Sequence, residues 1–308
     1  MSTSSAIITS SFTLPSEVSD GIWKKAQSES VLARLANAEP QKFGQTNVMT
    51  LSQPPVAELV GEGAAKSPTP SAYSSKTVTP LKLQVTMRFS DEVMWADEDY
   101  QLGILMDMRE NAGIALGRAL DIVGIHKMNP LTGLVSLGVP AGIADTSNSA
   151  QLVQAKYDEA IDTAAGLVIA DGYTPSGIAM DPSFAFGIGT QRDNEGRRLY
   201  PEIGFGTNLG NFRGMSAAVG DTVSAKKEAA SPTGILAILG EFSAFRWGVQ
   251  RNIAAKLIES GDPDGQGDLN RTNQIAIRAE VVYGVGIMDT DAFAKIVGET
   301  GETGITGA

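Results

Sequence analysis

Leu81, Leu83, Val85 and Met87 alternate with Lys82, Gln84, Thr86 and Arg88. That period of two predicts a strand with one face in solvent. Upstream, Val56, Leu59 and Val60 form a second strand-like run, and Gly, Pro, Ser and Lys residues lie between the two. The pair reads as a long hairpin arm ending near Ser90. A lone hairpin is marginal in water, so its face needs a surface from the rest of the chain or from another subunit.

The period then changes. Leu102, Leu105, Met106, Ala112, Leu116, Leu120 and Val123 recur at helical spacing, with Arg109 interrupting the face. Asp97 is placed to cap this helix, Glu98 and Asp99 complement its positive end, and Asn129-Pro130 closes it. About thirty residues at 1.5 Å each span about 45 Å, the length of a spine.

On the N-terminal side, Glu17 to Ala38 carries a patchy apolar face (Val18, Ile22, Val31, Leu32, Leu35) and predicts one short helix in an extended arm, either docked elsewhere or a disordered tail. After the spine, Ser149 is placed to cap a second helix with Val153, Tyr157, Ala160, Ile161, Ala164 and Val168 on one face. Ser176 to Met180 reads as a buried strand. Asp181-Pro182 opens a helix to about Gln191, with proline at the first helical position. Strands follow at 215–219, 234–242, 245–258 and 273–288, with a surface turn at 259–268 and an apolar hook at 292–296.

The 308 residues allow two modest domains or one elaborate one, and 42% hydrophobic residues suffice for a core. Thirty-four glycines favour a loop-rich α+β architecture. The net charge of −11, without a basic cluster, argues against tight binding of nucleic acid through phosphate neutralisation. The absence of cysteine excludes disulfides, thiolate metal sites and cysteine nucleophiles. The N-terminus has no secretory pattern, and no apolar run approaches the ~20 residues of a membrane span.

Conventional chemistry finds little purchase. Gly204, Gly206 and Gly210 have the wrong spacing for a dinucleotide loop, and Gly63 to Ser67 has Ala65 where a phosphate loop needs glycine. Asp262, Asp264, Gln266 and Asp268 alternate like calcium ligands, but the twelfth position is Asn273 instead of Glu, so a solvated turn is expected. Asn270 to Thr272 is a chance sequon. His126, the only histidine, reads as a residue complementing the helix end or meeting a partner. No cofactor or metal is expected.

Gly61 to Lys66 (GEGAAK), Thr86 to Met94, Gly177 to Pro182 (GIAMDP), Arg192 to Arg197 (RDNEGR) and Asn273 to Ile296 occur in this order. Together they resemble the major capsid proteins of tailed phages of the Hong Kong ninety-seven type, a fold shared with encapsulin shells. The resemblance spans most of the chain and implies five parts. These are an N-terminal arm (1–47), an extended β-hairpin loop (48–92), a spine helix with peripheral strands (93–148), an axial domain (149–242) and a return to the peripheral domain (243–308). It also implies hexamers and pentamers closing into an icosahedral head, assembled in the host cytoplasm, that encloses double-stranded DNA without sequence-specific binding. A separate scaffolding protein, a portal and decoration proteins would be partners; no membrane would be. An encapsulin-like nanocompartment with protein cargo is the alternative, and a soluble α+β enzyme the third reading.

The same resemblance carries one piece of chemistry, an isopeptide bond between a loop lysine and an asparagine of another subunit, helped by a glutamate. By motif these fall on Lys66, Asn273 and Glu280. A desolvated lysine can lose its proton and attack a carboxamide carbon. Asn273 and Glu280 would be ~23 Å apart on one extended strand, so their direct cooperation requires a bend. Pro68 stands one residue later than the pattern expects. Glu62, Lys66, Lys76, Arg88 and Arg109 are the candidates for subunit contacts.

Overall fold

The computed structural model describes residues 25, 29–42, 44–53, 55–63, 65–69, 72–92, 98–193, 195–201, 203 and 208–298. Most of the predicted N-terminal helix, the Asp97 cap, Gly204 and Gly206 lie outside them. The chain divides into two compact units, one formed by residues 1–30, 82–120 and 251–282, the other by 31–81, 121–250 and 283–308.

The larger unit is built on a six-stranded mixed sheet. Its strands are β3 (Ser149–Gln151), β4 (Gly177–Met180), β5 (Asn208–Phe212), β6 (Met215–Val219), β7 (Ile235–Gly240) and β10 (Phe293–Val297), in the order β3-β10-β7-β4-β6-β5. All four β4 residues are buried, as the continuous apolar run GIAM requires of a central strand. Helices α3 (Tyr157–Ala170) and α4 (Pro182–Thr190) pack on this sheet. Asp181 caps α4, its carboxylate accepting from Ser183 N at 2.8 Å, with Pro182 following as expected. Gly187 leaves room for the Tyr157 ring, because a Cβ there would stand 2.1 Å from Tyr157 Cζ. Tyr157 in turn meets Phe184 edge-on at 5.2 Å.

Two expectations change in this unit. Ser149 does not cap a helix. It starts β3, paired in parallel with β10 (Ser149↔Lys295), and α3 begins only at Tyr157. The apolar hook near 292–296 is β10, an internal strand between β3 and β7.

The long helix α2 runs from Glu98 to His126. Ala112, Leu116, Leu120 and Val123 are buried as the spacing predicts, while Met106 is half exposed. Its last turn, in the larger unit, also buries Asp121. That carboxylate accepts from the backbone N–H groups of Val31 (2.9 Å) and Leu32 (3.0 Å) at the start of α1 (Val31–Leu35), and from the Thr222 hydroxyl at 2.7 Å. The apolar face of α1 is thereby held by a buried anion at the helix's positive end.

His126 is buried, with Nε2 3.1 Å from the Thr222 carbonyl. It packs within its own chain instead of facing a partner. Burial, opposed by carbonyl contacts at Thr222 and Val223 and by the charge of Glu228, holds its imidazole below the usual range.

A second sheet has the order β1-β2-β9-β8, from β1 (Thr46–Gln53), β2 (Ala72–Ser90), β8 (Phe245–Ile258) and β9 (Gln274–Ile287). In the larger unit, β1 pairs antiparallel with the first half of β2, from Thr46↔Val78 to Gln53↔Ala72. The outgoing strand of the arm therefore lies earlier than Val56 to Val60. Pro54 and Pro55, which lack N–H donors, follow its end.

The single histidine permits a clean pH test. Below about pH 6.5 the unfolded chain takes a proton that the folded chain resists. Stability should therefore fall as pH drops through that value and level off below the lowered folded value. The slope is at most about 1.4 kcal/mol per pH unit. Urea unfolding of the soluble subunit between pH 7.5 and 5 measures it, and His126→Gln should remove that component.

Candidate functional site

Among the described residues of the larger unit, the extended loop is strongly exposed. Between β1 and β2 the described tip residues 55–69 are almost all solvent-facing, and Leu59 is fully exposed. The tip has its own closure. Ser67 donates from its backbone N (3.0 Å) and Oγ (3.1 Å) to the Glu58 carboxylate, and Thr69 Oγ1 donates to the Val56 carbonyl. The extra residue before Pro68 is thus the one that closes the tip. Glu62 and Lys66 lie on this tip, both exposed. Lys76 sits on β2 opposite Val48, also exposed.

In the smaller unit, Arg88 on β2 is directed into the acidic turn of its own chain. Its Nε donates to Asp264 at 2.8–2.9 Å, and its terminal nitrogens reach Asp264, Asp262 (3.1 Å) and the Gly267 carbonyl (2.9 Å). The guanidinium satisfies Asp262 and Asp264, two of the acids whose alternation mimics a calcium loop, while Asp268 accepts from Asn270 N at 2.8 Å. The hydrogen bond from Arg88, with backbone N–H donors, holds the Asp264 carboxyl below its usual value. Arg88, a candidate for a subunit contact, shapes residues 262–267 of its own chain, and its side chain is 12% exposed. Arg109 is half-buried on α2.

Asn273 is exposed in a left-handed conformation (φ 50°, ψ 54°) just before β9, and its carbonyl accepts from Asp91 N at 2.9 Å. Glu280 lies on β9 and pairs with Lys82 at 3.0 Å. The strand from Gln274 to Ile287 is unbroken, so Glu280 stands ~20 Å along it from Gln274. The structure does not bring Asn273 and Glu280 of one chain together, and the bend their cooperation requires is absent. Lys82 was missed as the partner of Glu280: alternation puts Lys82 on the solvent face of β2 but does not say that β9 lies beside it.

In the larger unit, the Arg192–Arg197 segment closes on itself. Arg192 and Arg198 form an antiparallel bridge. Asp193 accepts from Glu195 N (2.9 Å), Arg197 N (2.8 Å) and Arg197 Nε (3.1 Å). Among the described residues, no group of three His, Cys, Asp or Glu could hold a metal ion, and no helix is long and apolar enough to cross a membrane.

A long helix, a projecting two-stranded loop and a mixed-sheet unit define a shell subunit of the Hong Kong ninety-seven type, and solved structures carry the same fold. A structure from Mycobacterium phage Ogopogo is 52% identical, covering 88% of this chain and 92% of that one, with a TM-score of 0.79. One from Gordonia phage Cozz is 29% identical over 88% and 87%, TM-score 0.75. The capsid of a native GTA particle shares the fold at 15% identity over 89% and 90%, TM-score 0.61. A comparison with curated proteins gives no match. The phage capsid family model matches residues 10–298, and the chain belongs to that family. It is a major capsid protein, and its role is structural.

The Arg88 clasp predicts a local effect. Arg88→Ala should open the turn at 259–268 and speed its cleavage by a nonspecific protease about tenfold. Mass spectrometry of the first nicks would locate the cut, and an unchanged rate would show that the turn holds its shape without Arg88.

Proposed function

We propose that copies of this chain form hexamers and pentamers that close into an icosahedral head around double-stranded DNA. The observation that carries this reading is the extended loop of a capsid-family chain. Its tip exposes Val56 and Leu59, and a neighbouring subunit is the surface that would cover them. The net charge of −11 suits an inner wall along which packaged DNA slides without being bound by sequence. Assembly takes place in the host cytoplasm with a separate scaffolding protein, and the finished head carries a portal and decoration proteins. The five-part division into arm, loop, spine, axial domain and returning peripheral domain describes how the chain serves that shell. An encapsulin-like compartment has the same fold, but the family match and the phage neighbours favour the phage head.

Light scattering and electron microscopy of the purified protein supplied with its scaffold should show megadalton closed shells containing nuclease-protected DNA when taken from infected cells. A subunit that stays monomeric or dimeric with scaffold present would refute the reading.

The isopeptide bond is part of the same proposal, with a constraint from geometry. Lys66 of one copy would attack the exposed Asn273 carboxamide of another, releasing ammonia. Because Glu280 is far along the strand from Asn273, the assisting carboxylate has to come from a copy other than the one supplying Asn273. A denaturing gel of mature particles should show a ladder above the 32.2 kDa monomer, abolished by Lys66→Ala. A monomer band alone would sink the cross-link while leaving the shell intact.

A further inference from the structure

Glycine follows aspartate three times in this chain, at Asp20–Gly21, Asp171–Gly172 and Asp264–Gly265. In such a pair the backbone nitrogen of the glycine can attack the aspartate carboxyl, because no side chain hinders the approach. Asp20 and Gly21 lie outside the described residues. The structure holds the other two pairs in opposite ways. Just after α3, Gly172 N donates to the Ile169 carbonyl at 3.0 Å. Asn148 Nδ2 donates to the Asp171 carboxylate at 2.7 Å. There the nitrogen that would attack is already engaged.

In the turn between β8 and β9 the carboxylate is held instead. Asp264 and Gly265 are both exposed, and Gly265 has φ 77°. Among the described residues, no acceptor takes the Gly265 N–H. Arg88 Nε lies 2.9 Å from one Asp264 oxygen and 2.8 Å from the other, and a terminal nitrogen of Arg88 meets the first again. Gln266 N donates to that oxygen at 3.3 Å. Arg88 is itself fixed by Asp262 (3.1 Å) and the Gly267 carbonyl (2.9 Å). The other acids of the turn lack this chemistry. Asp262 precedes Pro263, whose nitrogen carries no proton, and Asp268 precedes the bulkier Leu269.

We propose that Asp264–Gly265 is a site of spontaneous isoaspartate formation and that the Arg88 clasp keeps it shut. The reaction starts from the neutral carboxyl. The Gly265 nitrogen bonds to Asp264 Cγ and gives up its proton, and the C–OH bond breaks to release water. Water then opens the five-membered imide. Opening at the backbone carbonyl leaves the chain running through Cβ and Cγ, one carbon longer, with the carboxylate on Cα. One water leaves and one returns, so the mass is unchanged and no co-reactant is needed.

Arg88 opposes this at two points. It keeps the carboxylate ionised, a form that resists a nucleophile and has no hydroxyl to lose. It also grips both oxygens, so turning Cγ toward the Gly265 nitrogen breaks those bonds. The lengthened product no longer fits the clasp. The site thereby records how often the turn has opened. This is chemistry of the single chain, and it stands whether or not copies assemble.

The test incubates folded wild type, folded Arg88→Gln and wild type unfolded in guanidinium chloride at one pH and temperature. Isoaspartate is read peptide by peptide, through methyl transfer from S-adenosylmethionine by an isoaspartyl methyltransferase and through backbone fragments diagnostic of the extra carbon. Folded wild type should react at residue 264 about tenfold more slowly than the unfolded chain, and Arg88→Gln should close most of that gap. Folded wild type reacting as fast as the unfolded chain would overturn the proposal, as would Arg88→Gln reacting as slowly as wild type. Thermal unfolding checks that Arg88→Gln is folded. If it is not, Arg88→Lys replaces it, keeping the charge without the two-pronged grip. That variant should react at a rate between wild type and the unfolded chain, and the wild-type rate would overturn the role of the clasp.

Discussion

The buried carboxylate of Asp121 is the interaction on which the larger unit most depends. It stands at the end of a long apolar helix face, where an unpaired charge would be severely destabilising. Among the described residues, donors from the first two residues of α1 and from Thr222 after β6 meet it. One anion thereby fixes a short helix far too small to stand alone and a loop that also receives His126. Removing the carboxylate would leave buried N–H groups without their acceptor, a penalty of roughly 1–3 kcal/mol for each.

A second constraint runs the other way. The arm made by β1 and the first half of β2 closes its tip through Glu58 and Ser67 and leaves Met49, Val56, Leu59 and Tyr73 exposed, with Val78 buried at its base. Among the described residues, the buried cluster of the six-stranded sheet draws on β3, α3, β4, α4, β5, β6, β7 and β10 and not on the arm. The arm is therefore shaped in the subunit while much of its apolar surface stays open, which a subunit of a shell can cover with another copy.

What could be read from the sequence depended on whether the signal was local. The long helix, β4, the Asp181-Pro182 start of α4 and the limits of β8 follow from period, caps and turn residues within each stretch. β1 was missed because Thr46 to Gln53 is mostly polar and its partners lie 19 to 32 residues on. Ser149 looks like a cap because Ser is a good one; the pairing with β10 that makes it a strand residue comes from almost 150 residues away. The site residues divide in the same way. The exposure of Lys66, Lys76 and Glu62 follows from their turn and strand positions. The capture of Arg88 by Asp262 and Asp264 and the pairing of Glu280 with Lys82 depend on which strands lie side by side, and local pattern is silent on that.

Charge sets the last condition. Exposed ion pairs such as Lys82–Glu280 and Arg213–Asp162 contribute little individually and are screened by salt. They do, however, place cations beside acids, leaving fewer free cations to bridge one subunit to the next. Apolar surface can supply cohesion between acidic copies at least electrostatic cost where the chain is uncharged. The extended loop, with exposed apolar residues at its tip, and the uncharged turn beyond α2 both meet that condition. They meet it in different ways, the loop with apolar side chains exposed at its tip and the turn with four exposed apolar side chains in a stretch free of charge.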